Sequence, residues 1–223
     1  GIGYFDMLPE INEAVGNVVY FQYDGSLGYE GVEIISQPCS LDYHLNNLGW
    51  DKIVDIASDY KYKSHDTDTC GLHIHVSKEA FGVTRTQQDL NIAKMVIIFE
   101  RFWDKIVQFS RRDYDRINRW AKKPEYKFYK SDTEIDIVSK SKFSYDDRYS
   151  CINLQNSATV EFRVFRGTLK LNTLLASIQF IDVLMDYVIK ASLEDVFEDS
   201  FLTMLSGNKY QELTTYLNER GMI

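Results

Sequence analysis

Apolar and polar residues alternate along two stretches of the chain and recur at helical spacing along several others. In CGLHIHVS, Cys70 to Ser77, a strand would turn Leu72, Ile74 and Val76 to one face and His73 and His75 to the other, because successive side chains of a strand point to opposite sides. ATVEFRVFRG, Ala158 to Gly167, repeats the design: Val160, Phe162 and Val164 share one face, Glu161 and Arg163 the other. RYSCINLQ, Arg148 to Gln155, reads as a further strand joined to it through the turn-prone Asn156-Ser157. In VVYFQYDGSLGYEGVEIISQ, Val18 to Gln37, β-rich runs flank Asp24-Gly25-Ser26, the signature of a hairpin.

Helical spacing dominates elsewhere. SLDYHLNNLGWDKIVDIASDY, Ser40 to Tyr60, opens with a capping Ser and predicts a helix, or a pair of helices interrupted at Gly49. TQQDLNIAKMVIIFERFWDKIVQFSRR, Thr86 to Arg112, lacks Gly and Pro and predicts one long helix, with Phe99, Phe102, Trp103 and Phe109 as core packing. NTLLASIQFIDVLMDYVIKA and most of the tail to Arg220 also read as helical, while Glu10 and Glu13, three apart, suit a helix near the start. Strands grouped in hairpins and broken by long helices predict an α+β fold with a largely antiparallel sheet. No linker, low-complexity tract or internal repeat divides the chain, so residues 1–223 are read as a single domain.

Charge narrows the function. A formal net charge of -8 argues against a general binder of nucleic-acid phosphates, which needs a basic footprint. The basic stretch SRRDYDRINRWAKKP, Ser110 to Pro124, reads as a solvated helix end. Three cysteines, Cys39, Cys70 and Cys151, without an apolar leader fit a reducing cytoplasm rather than a disulfide framework, and Cys70 and Cys151 read as buried small hydrophobes. No run approaches the roughly 20 apolar residues of a membrane span, so a soluble protein is expected. The first residue is Gly rather than Met, which suggests that upstream residues were removed or not included.

The candidate chemistry lies on the two polar strand faces. Side by side in one sheet, the strands would gather His73, His75, Glu161 and Arg163 against a common core. Imidazole and carboxylate ligate metals, and a guanidinium is the natural partner of phosphate or carboxylate, a combination suited to metal-nucleotide chemistry. Glu33, inside the apolar run VEIIS, is a further carboxylate that is costly to bury unless paired or ligating. Plainer readings stand beside these: a strand His is often a hydrogen-bonded structural residue, and Glu161 with Arg163 could be an ordinary ion pair. His44 reads as a helix-surface residue, and His65 lies just upstream of the histidine strand. The chain has no H-E-x-x-H, C-x-x-C, P-loop or G-x-S-x-G sequence, so the corresponding zinc, phosphate-loop and serine-hydrolase chemistries lack their key residues.

In order and spacing, DGSLGYEGVEIISQP, SHDTDTCGLHIHVS and RYSCINLQNSATVEFRVFRGTLK, with a long helix between the second and third, resemble the amidoligase family of bacteria and phages. The resemblance runs from about Val18 to Asp186 and leaves residues 187–223 as a helical extension. It implies a glutamine synthetase-like catalytic fold, a curved, mostly antiparallel sheet backed by long helices, shared with glutamate-cysteine ligase. It also implies an ATP-dependent carboxylate-amine ligase that works through an acyl phosphate with Mg²⁺ or Mn²⁺, on small-molecule or peptide carboxylates and amines in a bacterial or phage-infected cytoplasm. A homo-oligomer is compatible with it. By the same resemblance His73, Glu161 and Glu33 would ligate metal, His75 would contact phosphate, and Arg163 would clamp the transferred phosphoryl group. Asp24, Asn153 and Arg166 fall in matching motifs as substrate or structural residues. Arg166 has the opposite strand parity to Arg163, so a bulge or strand end is needed to bring it to the same face. Family members usually open with an E-x-E strand that supplies further ligands, and GIGYFDMLPEINEAVG has no such pair. That difference keeps two other readings open: a non-catalytic descendant that binds a protein or peptide for a phage or mobile element, and a metal-dependent hydrolase.

Overall fold

A computed structural model of the chain describes residues 4–27, 31–65, 67–124, 127–143 and 149–223. Arg148 of the expected third strand, residues 28–30 of the expected hairpin and Asp66 of the second motif lie outside the described residues. The elements are α1 (Tyr4–Val15), β1 (Val19–Tyr23), β2 (Val32–Ser36), α2 (Leu41–Asn46), α3 (Trp50–Asp59), β3 (Gly71–Ser77), α4 (Arg85–Arg101), α5 (Trp103–Ser110), α6 (Tyr114–Trp120), α7 (Glu134–Phe143), β4 (Ile152–Asn153), β5 (Thr159–Arg166), α8 (Leu171–Lys190), α9 (Leu193–Glu198), α10 (Phe201–Met204) and α11 (Gln211–Glu219). The mixture of helices and small antiparallel sheets is the expected α+β class.

The strands form two sheets rather than one curved sheet. β1 and β2 pair with each other, in register from Val19↔Ser36 to Tyr23↔Val32, while β3, β5 and β4 form a second sheet with β5 in the middle. The hairpin packs its apolar side on a small core of its own, where Val19 meets Met7 and Ile11 of α1 and Ile53 of α3. Asp24 shapes its turn, its carboxylate accepting from the Ser26 amide at 2.8 Å.

The three-stranded sheet rests on the main core. Leu72, Ile74 and Val76 of β3 pack against it, as alternation predicts, together with Val160 and Phe162 of β5. Directly opposite residues of antiparallel strands share a face, and the register places Ile74, Phe162 and Ile152 in one row across all three strands. α4 lies beneath this row, with Phe99 and Phe162 centred 5.7 Å apart. Phe109 of α5 anchors the next layer, stacked on Phe180 of α8 at 4.1 Å and edge-on to Tyr216 of α11 at 4.9 Å.

Two expectations need correction, and one alternative is decided. The Thr86 to Arg112 segment is two helices: the backbone of Phe102 leaves helical values (φ -105°, ψ 27°), and its ring packs on Phe201 at 5.6 Å. Tertiary packing thus overrides a continuous helical pattern. The Ser40 to Tyr60 segment is the pair expected as one alternative, parted at Gly49, whose φ of 80° suits a residue without a β-carbon. Finally, α8 is long and apolar enough by composition to cross a membrane, contrary to the reading that no run comes near; two thirds of its apolar window is buried in the fold, the environment of a core helix.

Truncating Phe109 to Ala, which empties the centre of this aromatic layer, should cost about 3–5 kcal/mol. Val83→Ala, at a side chain 95% exposed, should change stability by no more than about 0.5 kcal/mol. Urea denaturation of the two variants checks the contrast.

Candidate functional site

On the opposite face of the same sheet, the register that builds the apolar row builds a polar one. Glu161 of β5 lies directly opposite His75 of β3 on one side and Asn153 of β4 on the other. The Glu161 side chain is 8% exposed, and its direct partners among the described residues come from this face. His73 Nδ1 is 3.1 Å from its Oε1, Arg163 Nη1 is 2.6 Å from the same oxygen, and the Asn153 amide donates to Oε2 at 2.8 Å. His75 Nε2 stands 3.8 Å away, while its Nδ1 meets the Thr159 hydroxyl at 3.1 Å. His75 is half-exposed and His73 less so, which makes the carboxylate the floor of the site and the imidazoles its rim.

The electrostatics follow from that packing. Burial pushes the Glu161 carboxyl up, but the His73 hydrogen bond, the Arg163 charge and the Asn153 amide outweigh it and hold the group at about 2. Burial lowers the His75 pKa, and the His73 and Arg163 charges add to the lowering; Glu161 and Glu33 oppose it. At neutral pH the face is an ionised carboxylate and a guanidinium bordered by a neutral His75.

A break in the ladder lies beside Arg163. Leu72 pairs with Phe165 but Ile74 with Phe162, so two residues of β5 oppose His73, which is a β-bulge. A bulged residue loses a ladder partner, and here buried Arg112 supplies one, its Nη1 donating to the Arg163 carbonyl at 2.8 Å. Arg112 is 4% exposed, and burial, helped by the nearby Arg163 charge, brings its pKa down to about 10, still cationic at neutral pH. Gly71 completes the fit: a β-carbon there would stand 3.0 Å from His73 Nε2 and 3.4 Å from Arg112 Nη1.

The sheet therefore brings together His73, His75, Glu161, Arg163 and Asn153. Glu33, on the separate hairpin, reaches this face through its charge on His75. Asp24 shapes the hairpin turn. Arg166 gains the parity of the polar face through the bulge, opposite Gly71, and its side chain lines a cavity at the end of β5. Arg112 was read as part of a solvated helix end and is instead buried under the bulge; the signal was its place directly after an aromatic helix. His44 is not a plain surface residue either, since it stacks on Trp50 and accepts from that indole at 3.3 Å. Cys151 is buried, as expected, with its thiol pushed up to about 12 by burial, whereas Cys70 is only partly covered.

The donor set has a definite capacity for cations. Among the described residues, no group of three His, Cys, Asp or Glu side chains is arranged to hold a metal ion. His73 Nδ1 and Glu161 Oε1, 3.1 Å apart, match two neighbouring ligands of an octahedral ion bonded at about 2.1 Å. Such a pair suits an ion that arrives with a phosphate-bearing substrate and keeps water or phosphate on its other positions, rather than a resident ion in an all-protein cage.

The sequence profile of a family described as "putative amidoligase enzyme" matches residues 20–185. Neither the curated proteins nor the solved structures contain a match.

Because its folded-state pKa of about 2 lies below the ordinary 4.5, Glu161 stabilises the fold above pH 4.5, and this is lost as pH falls toward 2. The difference corresponds to an order of 3 kcal/mol at neutral pH. Glu161→Gln, which keeps the shape and removes the charge, should lower the denaturation free energy markedly at pH 7 and by less than half as much at pH 3. Parallel denaturant titrations at the two pH values measure this.

Proposed function

Since the chain belongs to the family described as "putative amidoligase enzyme", we propose that it joins a carboxylate to an amine at the expense of ATP, on the polar face centred on Glu161. The observation that carries the reading is the convergence of His73 and Arg163 on one buried carboxylate oxygen, at 3.1 and 2.6 Å. In this reaction the substrate carboxylate attacks the γ-phosphorus of ATP and releases ADP; the amine then attacks the acyl carbon and expels phosphate. Mg²⁺ or Mn²⁺, brought in with the nucleotide, supplies charge neutralisation on the phosphates.

Each residue has work suited to its position. His73 Nδ1 and Glu161 Oε1 offer two donors in place of the proton that bridges them, and Asn153 holds the other carboxylate oxygen so that Glu161 keeps its orientation. Arg163, now paired with Glu161, would be the residue to bind the phosphoryl group if a cation were held at that oxygen, where a guanidinium stabilises charge as it spreads over the oxygens. His75 Nδ1 shares a hydrogen bond with the Thr159 hydroxyl; in the tautomer whose Nδ1 accepts, Nε2 carries a proton that would be available to a phosphate oxygen. Glu33 adds negative charge from the hairpin, felt at His75. Small or peptide carboxylates and amines are the substrate class.

A second reading, a non-catalytic module that binds a protein or peptide, draws on a different observation. Both Glu161 oxygens already have partners from the protein, and the described residues hold no third metal ligand.

Calorimetric titration with a non-hydrolysable ATP analogue separates the two. The ligase reading expects binding by the parent chain only with Mg²⁺ or Mn²⁺ present, weakened at least tenfold in both His73→Ala and Glu161→Gln, with folding of each variant checked by circular dichroism. Metal-independent binding, or none by the parent, would overturn it in favour of the binding module.

A further inference from the structure

Arg112 belongs to no strand, yet one of its nitrogens stands at the polar face. Nη1 donates to the Arg163 carbonyl at 2.8 Å, and the same atom lies 3.4 Å from the place a β-carbon would take on Gly71. His73 Nε2 lies 3.0 Å from that place. Gly71 and His73 are two apart on β3 and share its polar side. The bare backbone of Gly71 therefore makes room for the imidazole edge and the guanidinium together, a close approach that any side chain would obstruct. Through its other nitrogen the same imidazole meets Glu161, 3.1 Å from Nδ1.

A guanidinium is costly to hold at 4% exposure. Asp113, next in sequence, does not offset that cost as an ion pair, because Arg116 engages its carboxylate at 3.0 Å, and Arg112 Nε has no hydrogen-bond partner. What the placement of Arg112 secures is the bond to Arg163. Arg163 Nη1 in turn meets the Glu161 oxygen that His73 meets, so Arg112 adjoins both side chains that converge there.

The helical layer delivers Arg112 to this position. The carbonyl of Phe109, in the last turn of α5, accepts from the buried Tyr216 hydroxyl at 2.7 Å, and Gln108 donates to the Arg220 carbonyl at 2.9 Å. Arg111 then takes the left-handed conformation (φ 58°, ψ 13°) that ends the helix and turns the chain, and the Ser110 hydroxyl accepts from the Arg112 amide at 3.1 Å. Tyr216 and Arg220 lie beyond residues 20–185, the stretch that the family profile matches.

We propose that Arg112 is a positioning residue of the ligase site: without meeting the substrate, it sets Arg163 through its backbone and His73 through the space over Gly71, so that both reach the same oxygen of Glu161. The use made of His73 and Arg163 rests on the ligase reading; their placement does not.

The test applies two readouts to the full chain. Nitrogen NMR of the four histidine imidazoles, without nucleotide, reports placement, and calorimetric titration with the non-hydrolysable ATP analogue and Mg²⁺ reports its use. Arg112→Met, which keeps an apolar stem and removes the guanidinium, should shift the His73 signals, leave those of His44 on α2 in place, and weaken analogue binding about tenfold or more. Gly71→Ala, which crowds the imidazole while Arg112 stays, should also shift His73. Arg111→Gly, which removes the neighbouring cation from a backbone that suits Gly, should change neither readout. If Arg112→Met does not fold, Arg112→Lys, which offers one donor to the Arg163 carbonyl, carries the same comparison. Unmoved His73 signals, His44 signals that move with them, or equal weakening by Arg111→Gly would overturn the proposal. A parent that binds no analogue, with His73 alone still shifted by Arg112→Met, would overturn the ligase reading and uphold the placement.

Discussion

A carboxylate held inside a protein must be surrounded by donors, and Glu161 imposes that condition on the sheet around it. Its side chain is 8% exposed, at the centre of the middle strand, where an unpaired charge could not be kept. The cross-strand neighbours answer on both sides, Asn153 from β4 and the two histidines from β3, and Arg163 answers from β5 itself. This explains the shape of the smallest element. β4 is only two residues long, yet one of them is the donor to Glu161 and the other completes the apolar row under it.

The same condition recurs one layer down. β5 bulges beside Arg163, the bulge leaves a backbone carbonyl to be matched, and Arg112 matches it from a position almost closed to solvent. Arg112 binds the backbone of Arg163 and so holds the strand irregularity beside the polar face. A guanidinium is suited to the task because it stays charged even when burial brings its pKa to about 10.

What could be read from the sequence was what repeats along it. Alternation in CGLHIHVS and VEFRV gave the two faces, their pairing and the identity of the central acid, histidines and arginine, because a strand translates spacing directly into side. Features that depend on contacts distant in sequence were not legible. The helix break at Phe102 answers to Phe201, and Arg112 answers to a carbonyl fifty-one positions away. The separation of the hairpin into its own sheet answers to α1 and α3, which supply a second core beneath it. Asn153 was singled out by motif, but its role as the orienting partner of Glu161 needed the register of β4 against β5.

The bulge in β5 also gives the strand two reading frames. Before it, odd-numbered residues face the site; beyond it, even-numbered Arg166 takes that side while Val164 and Phe165, neighbours in sequence, are both buried. Chain order and spatial order are out of phase by one from there onward. Deleting a single residue between Phe162 and Phe165 would bring them back into phase and straighten the ladder. Phe165 would keep its place opposite Leu72 on the core side and Arg166 its place opposite Gly71, so the loss would fall on the bulge itself and on the buried Arg112 that now matches its carbonyl.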